Sequence, residues 1–158
     1  MRKTLSNIIT SYDYLLHADM WNTERFPISG EVINSGLGEA NLLNIAGGIA
    51  KGIQNNKLNS TIFIYGVSGF IIHRFEQLKF SLKYFGANYC NIILVNAGKY
   101  GYSNLGIGHK LDDDKELMEI LKVPFYSPED NLELENIIKN IKENKSGLYY
   151  IQLGRDET

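Results

Sequence analysis

Short runs of consecutive apolar residues constrain this fold more than any other feature of the sequence. Three such runs occupy residues 61–65, 91–96 and 148–153. Helical patterns lie between and around them, at residues 38–53, 70–84, 115–121 and 131–143. Strands that show no alternation of polar and apolar positions, separated by helices, are typical of a parallel sheet covered on both faces. The sequence therefore predicts an α/β protein with three layers (αβα) and a mostly parallel sheet.

The remaining elements are marked less clearly. We expect a further helix over residues 5–16 and two short strands, over residues 32–34 and 124–126. Residues 97–108 are rich in glycine and tyrosine and predict an irregular loop. No internal repeat, linker or low-complexity stretch divides the chain, so we expect a single domain over residues 1–158.

Composition excludes several classes of protein. The formal net charge of -2 argues against nucleic acid or an anionic membrane as the main partner. No apolar run approaches the ~20 residues of a membrane span. Cys90 is the only cysteine, so no internal disulfide is possible, and no apolar signal segment follows Met1. We therefore expect a soluble protein of the cytoplasm.

The helix predicted over residues 38–53 begins with a carboxylate, Glu39, and then carries no charge until Lys51. A buried carboxylate costs several kcal/mol unless a partner or a shared proton compensates it. Glycine inside a helix costs up to ~1 kcal/mol relative to alanine and is usually tolerated where backbones pack closely. The interior of this helix has three of them, Gly47, Gly48 and Gly52. Glu39 is either a first-turn acid, favoured by the helix dipole by ~0.3–1 kcal/mol, or a group that the function needs.

Functional sites of parallel sheets gather at the carboxyl ends of the strands. Three loops meet that condition: the loop before Glu39, residues 66–70, and the loop that ends at His109. Neither glycine-rich phosphate motif is complete, and no serine or cysteine nucleophile pattern occurs. The three histidines are too widely separated in sequence to suggest a metal site in this chain.

Five phrases follow one another along almost the whole chain: VINSGLGEANLLNIAGGIA, YGVSGFIIHRFEQLK, NIILVNAG, GHKLDDD and GLYYIQLGR. In this order they resemble the pyrimidine-binding domain of the transketolase family, whose members use thiamine diphosphate. The first phrase is similar to the Gly-x-x-Glu of the family and the small-residue helix after it. The last is similar to the final strand and its arginine. The resemblance implies the thiamine-diphosphate pyrimidine-binding fold.

The resemblance gives Glu39 a catalytic and cofactor-binding role. In the family this carboxyl group is hydrogen-bonded to N1′ of the aminopyrimidine ring and stabilises the imino tautomer. In that tautomer the 4′-nitrogen of the cofactor removes the proton from C2 of the thiazolium ring. Where water is excluded, the carboxyl group and the ring nitrogen share their proton at little cost.

Four further residues are implied in cofactor binding, and each has an ordinary alternative. Phe70 matches the ring that stacks on the aminopyrimidine, although it is also a natural core residue. Val67 and His73 lie three residues before and after it, where the family often has further aromatic side chains. Met20 matches the apolar residue over which the cofactor bends, although it could simply fill the core.

Three residues are implied in substrate binding. Arg2 and Arg155 resemble two arginines that grip a sugar phosphate, which suits the geometry of a guanidinium fork; both could instead be solvated terminal residues. His109 matches a catalytic histidine near the cofactor and the substrate, although a surface histidine in a loop is the alternative. No acidic residue lies between Gly98 and His109, where transketolases usually carry one that contacts a substrate hydroxyl. The usual sugar substrate is therefore expected to be changed.

The family holds its diphosphate and metal ion with a second domain that carries Gly-Asp-Gly, a phrase absent here. The resemblance thus implies one subunit of a split transketolase-like enzyme, with the diphosphate-binding and C-terminal domains absent from the chain. A partner subunit would hold Mg²⁺ (or Ca²⁺), in a heterotetramer that transfers a two-carbon ketol unit between phosphorylated or nucleotide-linked sugars. The alternatives are a subunit of a thiamine enzyme that decarboxylates or condenses 2-oxo acids, and a non-catalytic interaction subunit.

Overall fold

A computed structural model of the chain describes residues 1–56, 59–67, 69, 71, 73–97 and 114–153. Its centre is a parallel sheet of six strands: β1 (Tyr14–His17), β2 (Glu31–Asn34), β3 (Thr61–Gly66), β4 (Asn91–Ala97), β5 (Phe125–Tyr126) and β6 (Gly147–Leu153). Their order in the sheet is β2-β1-β3-β4-β6-β5. Every residue of β3 and β4 is buried, which explains why neither strand alternates in sequence.

Helices cover both faces of the sheet. They are α1 (Arg2–Ile8), α2 (Glu39–Asn56), α3 (Phe75–Gln77), α4 (Asp114–Leu121) and α5 (Asn131–Glu143). A π-helix over Leu78–Lys83 follows α3, and a 3₁₀ turn spans Gly86–Asn88. One core lies under α2, the π-helix and α4, and the other lies under α1 and α5. The predicted three-layer α/β architecture is therefore confirmed. Among the described residues, no helix has the length and apolar character needed to cross a bilayer.

The helix predicted over residues 5–16 is wrong. The chain is helical only as far as Ile8, and Tyr14–His17 forms β1, which pairs with β2 on one side and β3 on the other. Asp13 explains the break, because its Oδ2 accepts hydrogen bonds from the backbone N and the Oγ1 of Thr10, at 2.8 and 2.9 Å. Such a local bond offers the backbone an alternative to the helix.

Asp13 also connects neighbouring elements at the amino ends of β1 and β3. Its carboxylate is 1% exposed and accepts from the backbone N of Thr61 at 2.9 Å and from Nζ of Lys142 at 2.6 Å. One buried carboxylate thus joins the residue before β1, the first residue of β3, and α5.

The other predicted elements agree closely with the structure where it describes them. The strand predicted over residues 91–96 extends by one residue to Ala97, and the helix over residues 131–143 has the predicted bounds. The helix predicted over residues 70–84 is recovered as α3 and the π-helix. Most of the loop predicted over residues 97–108 lies outside the described residues.

Close packing accounts for one of the three glycines of α2. A Cβ atom at Gly47 would lie 2.6 Å from the backbone oxygen of Ser81 in the π-helix. At Gly48 and Gly52 a Cβ atom would meet no described residue within 4 Å. The predicted backbone approach is therefore present at Gly47 and is not seen at Gly48 or Gly52 among the residues that the structure describes.

Alanine substitutions at adjacent positions should have opposite effects on stability. Gly47→Ala should lower the free energy of unfolding by about 1–3 kcal/mol, because the backbone around Ser81 must move. Gly48→Ala should raise it by about 0.5–1 kcal/mol, because alanine is the better helix former and meets no obstacle. Urea unfolding of both variants measures the difference. Equal effects of the two substitutions would show that the contact with Ser81 does not limit position 47.

Candidate functional site

The order of the strands places a crevice at the carboxyl ends of β1 and β3. β1 lies between β2 and β3, so the chain leaves β1 towards one side of the sheet and leaves β3 towards the other. Ligands of open α/β sheets bind at such a switch point, outside the carboxyl ends of the strands. The residues that follow β1 and β3 are therefore the first place to look for a site.

A small cavity lies at this switch point. It is lined by Ala18, Met20, Glu39, Leu42, Tyr65, Gly66, Val67 and Ile71. Its free space is about 10 Å³, roughly what one water molecule occupies. Most of these lining residues are apolar, and among the described ones Glu39 alone carries a charge. The cavity is therefore an apolar cleft with one carboxylate at its edge.

Glu39 is the first residue of α2 and is half-buried. Its carboxylate makes no hydrogen bond or ion pair with any residue that the structure describes. The first turn of α2 is held instead by its backbone, with the N of Leu42 donating to the O of Gly38 at 2.9 Å. The position at a helix amino terminus favours the charge. Nothing in the described part of the chain uses the carboxylate oxygens, so they are available to a ligand.

A pair of polar side chains fixes the turn that leads to Glu39. Oδ1 of Asn34, at the end of β2, accepts from the backbone N of Gly36 at 2.9 Å and of Asp19 at 3.1 Å. Nδ2 of Asn34 donates to Oδ1 of Asp19 at 2.6 Å. Asp19 and Gly36 both have positive φ, at 53° and 61°, so both turns are tight. The turn after β1 and the turn before α2 are thereby locked together.

His17 orients Met20, the apolar residue on the other side of the cavity. The imidazole is buried, and its Nδ1 accepts from the backbone N of Met20 at 3.2 Å and of Trp21 at 3.3 Å. Two donors at Nδ1 require that Nε2 carries the proton. Burial lowers the pKa of His17 below the ordinary 6.5, and the carboxylate of Asp19 partly opposes this shift. The neutral imidazole of His17 therefore fixes the backbone of the turn that contains Met20.

Arg2 also lies near the carboxyl end of β3, on the face of the sheet that α1 and α5 cover. It is the first residue of α1, and its guanidinium carbon lies 5.5 Å from the ring centre of Tyr65, at the end of β3. The Tyr65 ring contacts Trp21 edge-on at 4.9 Å, and both belong to the core under α1 and α5. Arg2 is therefore close to a residue of the cavity wall, although it is not in the wall itself.

The structure brings some of the predicted site residues together. Met20, Glu39 and Val67 line one cavity. His73 is exposed and is not part of its wall. Phe70, His109 and Arg155 lie outside the described residues. The arrangement therefore contains the predicted carboxylate and two of its apolar neighbours.

Sequence reasoning missed the residues that hold this arrangement in place. His17, Asp19 and Asn34 act through bonds that depend on β1 and β2 lying side by side. The wrong helix over residues 5–16 concealed β1 and, with it, this pairing. The polar residues at the ends of the apolar segments 14–16 and 32–33 were the available signal. Ile71 and Leu42, also in the cavity wall, carried no signal beyond being apolar.

No protein-family model and no curated protein matches this sequence. Solved structures do match the fold. A split gene transketolase, an inactive beta4 tetramer, matches with a TM-score of 0.68 and 23% identity, over 91% of this chain and 45% of that chain. A protein from Mycobacterium smegmatis described as a putative thiamin diphosphate-dependent enzyme matches with a TM-score of 0.71 and 13% identity, over 99% of this chain and 31% of that chain.

This chain spans less than half the length of either matched protein. The two alignments nevertheless cover almost all of the chain, so they include the parallel sheet, both helical layers and the edge where Glu39 lies. The predicted fold is confirmed by this likeness together with the strand order. The fold of this chain is that of a transketolase-like pyrimidine-binding domain.

Proposed function

We propose that this chain is the pyrimidine-binding subunit of a split thiamine-diphosphate-dependent transketolase-like enzyme. It would transfer a two-carbon ketol unit between sugar substrates. The observation that carries this proposal is the Glu39 carboxylate, which bonds to no residue that the structure describes and lies beside an apolar cleft at the switch point of the sheet. The fold that this chain shares with a split gene transketolase and with a putative thiamin diphosphate-dependent enzyme supports the same class of enzyme.

The side chains that line the cleft suit the chemistry of an aminopyrimidine ring. Such a ring is flat and apolar on its faces, and it has polar atoms at its edge. Met20, Val67 and Ile71 offer apolar contacts, and Glu39 offers one hydrogen-bonding group. When bound, thiamine diphosphate supplies a carbon nucleophile once its C2 proton has been removed. Glu39 would hold a proton at N1′ of the ring, and Met20 would pack against the cofactor.

The cleft of this chain alone is too small for that ring. It has about 10 Å³ of free space and leaves Glu39 half-exposed. The described residues include no group of three His, Cys, Asp or Glu side chains that could hold a metal ion. Our proposal therefore assigns the diphosphate, the Mg²⁺ (or Ca²⁺) and the second wall of the cleft to a diphosphate-binding partner subunit, in a heterotetramer.

The exposed face of α2 supports the presence of a partner subunit. Gly48 and Gly52 are exposed, and no atom in the described part of the chain would touch a Cβ atom at either position. Each lowers the stability of the helix by up to ~1 kcal/mol relative to alanine, and no described residue of this chain requires a glycine there. Both lie on the helix that begins with Glu39. A second chain that packs closely on this exposed face of α2 would account for them.

Phosphorylated sugars are the proposed substrates, with Arg2 and Arg155 as phosphate ligands and His109 beside the reacting atoms. With a diphosphate-binding subunit present, the wild-type chain should transfer the ketol unit from a phosphorylated ketose to an aldose. Arg2→Ala and Arg155→Ala should each raise the KM for the phosphorylated sugar about ten- to a hundredfold, because a charge-assisted contact contributes roughly 1.5–3 kcal/mol.

The matched control is Lys3→Ala, which removes an exposed cation beside Arg2. It should leave KM unchanged. An unchanged KM in both arginine variants would remove the phosphate assignment. Absence of any transfer, combined with turnover of a 2-oxo acid, would replace the proposed reaction with the alternative thiamine chemistry.

A further inference from the structure

The imidazole of His17 is a buried titratable group that the proposed function does not use. His17 is the last residue of β1 and is 4% exposed. Its Nδ1 accepts from the backbone N of two consecutive residues, Met20 and Trp21. A protonated imidazole carries a hydrogen on both ring nitrogens and accepts no hydrogen bond. The turn after β1 therefore depends on a side chain that must stay unprotonated.

The turn after β1 is part of the candidate site. Met20 lines the cavity together with Glu39. Asp19, in the same turn, accepts from Nδ2 of Asn34 at 2.6 Å. Oδ1 of Asn34 in turn holds the backbone N of Gly36, in the segment that leads into α2. A change in the turn after β1 thus reaches both sides of the cavity.

Acid pH should break this arrangement. Because burial keeps the pKa of His17 below the ordinary 6.5, against the opposing charge of Asp19, the folded chain binds this proton less readily than the unfolded chain. The stabilisation that depends on the neutral ring is therefore complete above pH 6.5 and is lost as the pH falls below it. Once protonated, the ring no longer accepts from Met20 and Trp21. Its new charge attracts the carboxylate of Asp19 and so competes with Asn34 for it.

The groups on the neighbouring elements do not change this expectation. Asn34 on β2 and Tyr65 on β3 are the partners of the histidine in the sheet, and neither is charged at acid pH. Arg2 of α1 lies over the ring of Tyr65, and its cation disfavours a second positive charge. Glu39, at the start of α2, lies on the other side of the cavity. Among these described groups, Asp19 is the acid that a charged ring would attract.

We propose that His17 is a pH-sensitive positioning residue: the neutral imidazole holds Met20 in the cavity wall, and protonation releases the turn after β1 and weakens binding at the candidate site. The inference rests on the proposed function only for the identity of the ligand, thiamine diphosphate. The release of the turn stands on the described contacts and can be tested on the full chain without a partner subunit.

One substitution separates the hydrogen-bond acceptor from the proton. In His17→Asn the amide oxygen lies as many bonds from Cβ as Nδ1 does, so it can still accept from the turn, and it does not titrate. His73→Asn is the matched control, because it makes the same exchange of side chains at an exposed histidine.

Trp21 reports the state of the turn, because it is the only tryptophan of the chain and its backbone N bonds to His17. Its indole is buried against Tyr65, so release of the turn should shift its fluorescence to longer wavelength. Between about pH 8 and 5 the wild-type chain and His73→Asn should show one such shift, whereas His17→Asn should show none. No shift in the wild type, or the same shift in His17→Asn, overturns the proposal.

Nitrogen NMR of the wild-type imidazoles tests the proposal without any substitution. At neutral pH the ring of His17 should carry its proton on Nε2, and it should titrate with the same midpoint as the fluorescence of Trp21, below pH 6.5. A proton on Nδ1 in the neutral ring, or a midpoint that differs from that of the fluorescence, overturns the proposal.

The consequence at the site is measured in the complex with the partner subunit. The KM for thiamine diphosphate should rise up to about tenfold for each pH unit below the pKa of His17, because only the neutral fraction is competent to bind. The rise should be smaller in His17→Asn and unchanged in His73→Asn. The same rise in His17→Asn would overturn the role at the site. A wild-type complex that binds no thiamine diphosphate at neutral pH would contradict the proposed function, and the fluorescence of Trp21 would still judge the release of the turn.

Discussion

Glu39→Gln should lower the kcat of the reconstituted enzyme by at least about 10²-fold, as expected for loss of a group that shares a proton in the reaction. Glutamine has the same length and keeps most contacts of the cavity wall. It cannot share a proton with N1′ of the bound ring, so the proposed role of the carboxylate is lost while its place is filled. Affinity for the cofactor should change much less than kcat, because Met20 and Val67 still line the cleft.

The competing interpretation of Glu39, as an acid that only stabilises its helix, predicts a different result. Glu39→Gln would then cost ~0.3–1 kcal/mol of folding stability and leave turnover intact. Glu116→Gln, in the first turn of α4, measures that helix effect at an exposed position away from the cleft. Steady-state kinetics and urea unfolding of both variants separate the two interpretations. Near-normal turnover in Glu39→Gln would show that the carboxylate is not catalytic.

Asp13→Ala should lower the free energy of unfolding by about 3–5 kcal/mol, a loss typical of breaking a buried ion pair. The substitution leaves the backbone N of Thr61 and of Thr10 without their acceptor and leaves Lys142 without its counter-ion. These groups join β1, β3 and α5, so the loss is felt across the amino end of the sheet. Urea unfolding monitored by the fluorescence of Trp21, which is buried against Tyr65, measures it.

Lys142→Met serves as the comparison for Asp13→Ala. It removes the cation and keeps the apolar stem, while Asp13 retains its bonds to Thr10 and Thr61. The carboxylate that remains in Lys142→Met still accepts three hydrogen bonds that support its charge, whereas Asp13→Ala leaves those three donors without their acceptor. The loss should therefore be clearly smaller than in Asp13→Ala. A larger loss in Lys142→Met would mean that the ion pair, rather than the backbone bonds of Asp13, holds the sheet.

The layers of the fold were predictable because they depend on local patterns. β3 and β4 are buried on both faces, so they are apolar throughout, and α5 has its apolar residues at helical spacing, with Leu134, Ile138 and Ile141 buried. β1 was not predictable in the same way. It has only four residues, Tyr14–His17, and only the pairing with β2 and β3 makes them a strand. Tertiary pairing overrode the local pattern there.

The candidate site was predictable only in part, for the same reason. Glu39 stood out because a charge is unusual at the start of a helix made of small and apolar residues. The family resemblance gave that charge a chemical role. His17 and Asn34 did not stand out, because their bonds join residues from separate turns. A histidine and an asparagine at strand ends have many ordinary explanations in sequence. Their positioning role appears only when β1 and β2 are placed side by side.

The central claim is that this chain holds half of a thiamine diphosphate site, and isothermal titration tests it most directly. Thiamine diphosphate with Mg²⁺ is titrated into the purified chain, and then into an equimolar mixture of the chain with a diphosphate-binding subunit. The chain alone should give no heat of binding at micromolar to millimolar cofactor, because its cleft has about 10 Å³ of free space. The mixture should bind one cofactor per pair of chains. Micromolar binding by the chain alone, or no binding by the mixture, would contradict the account.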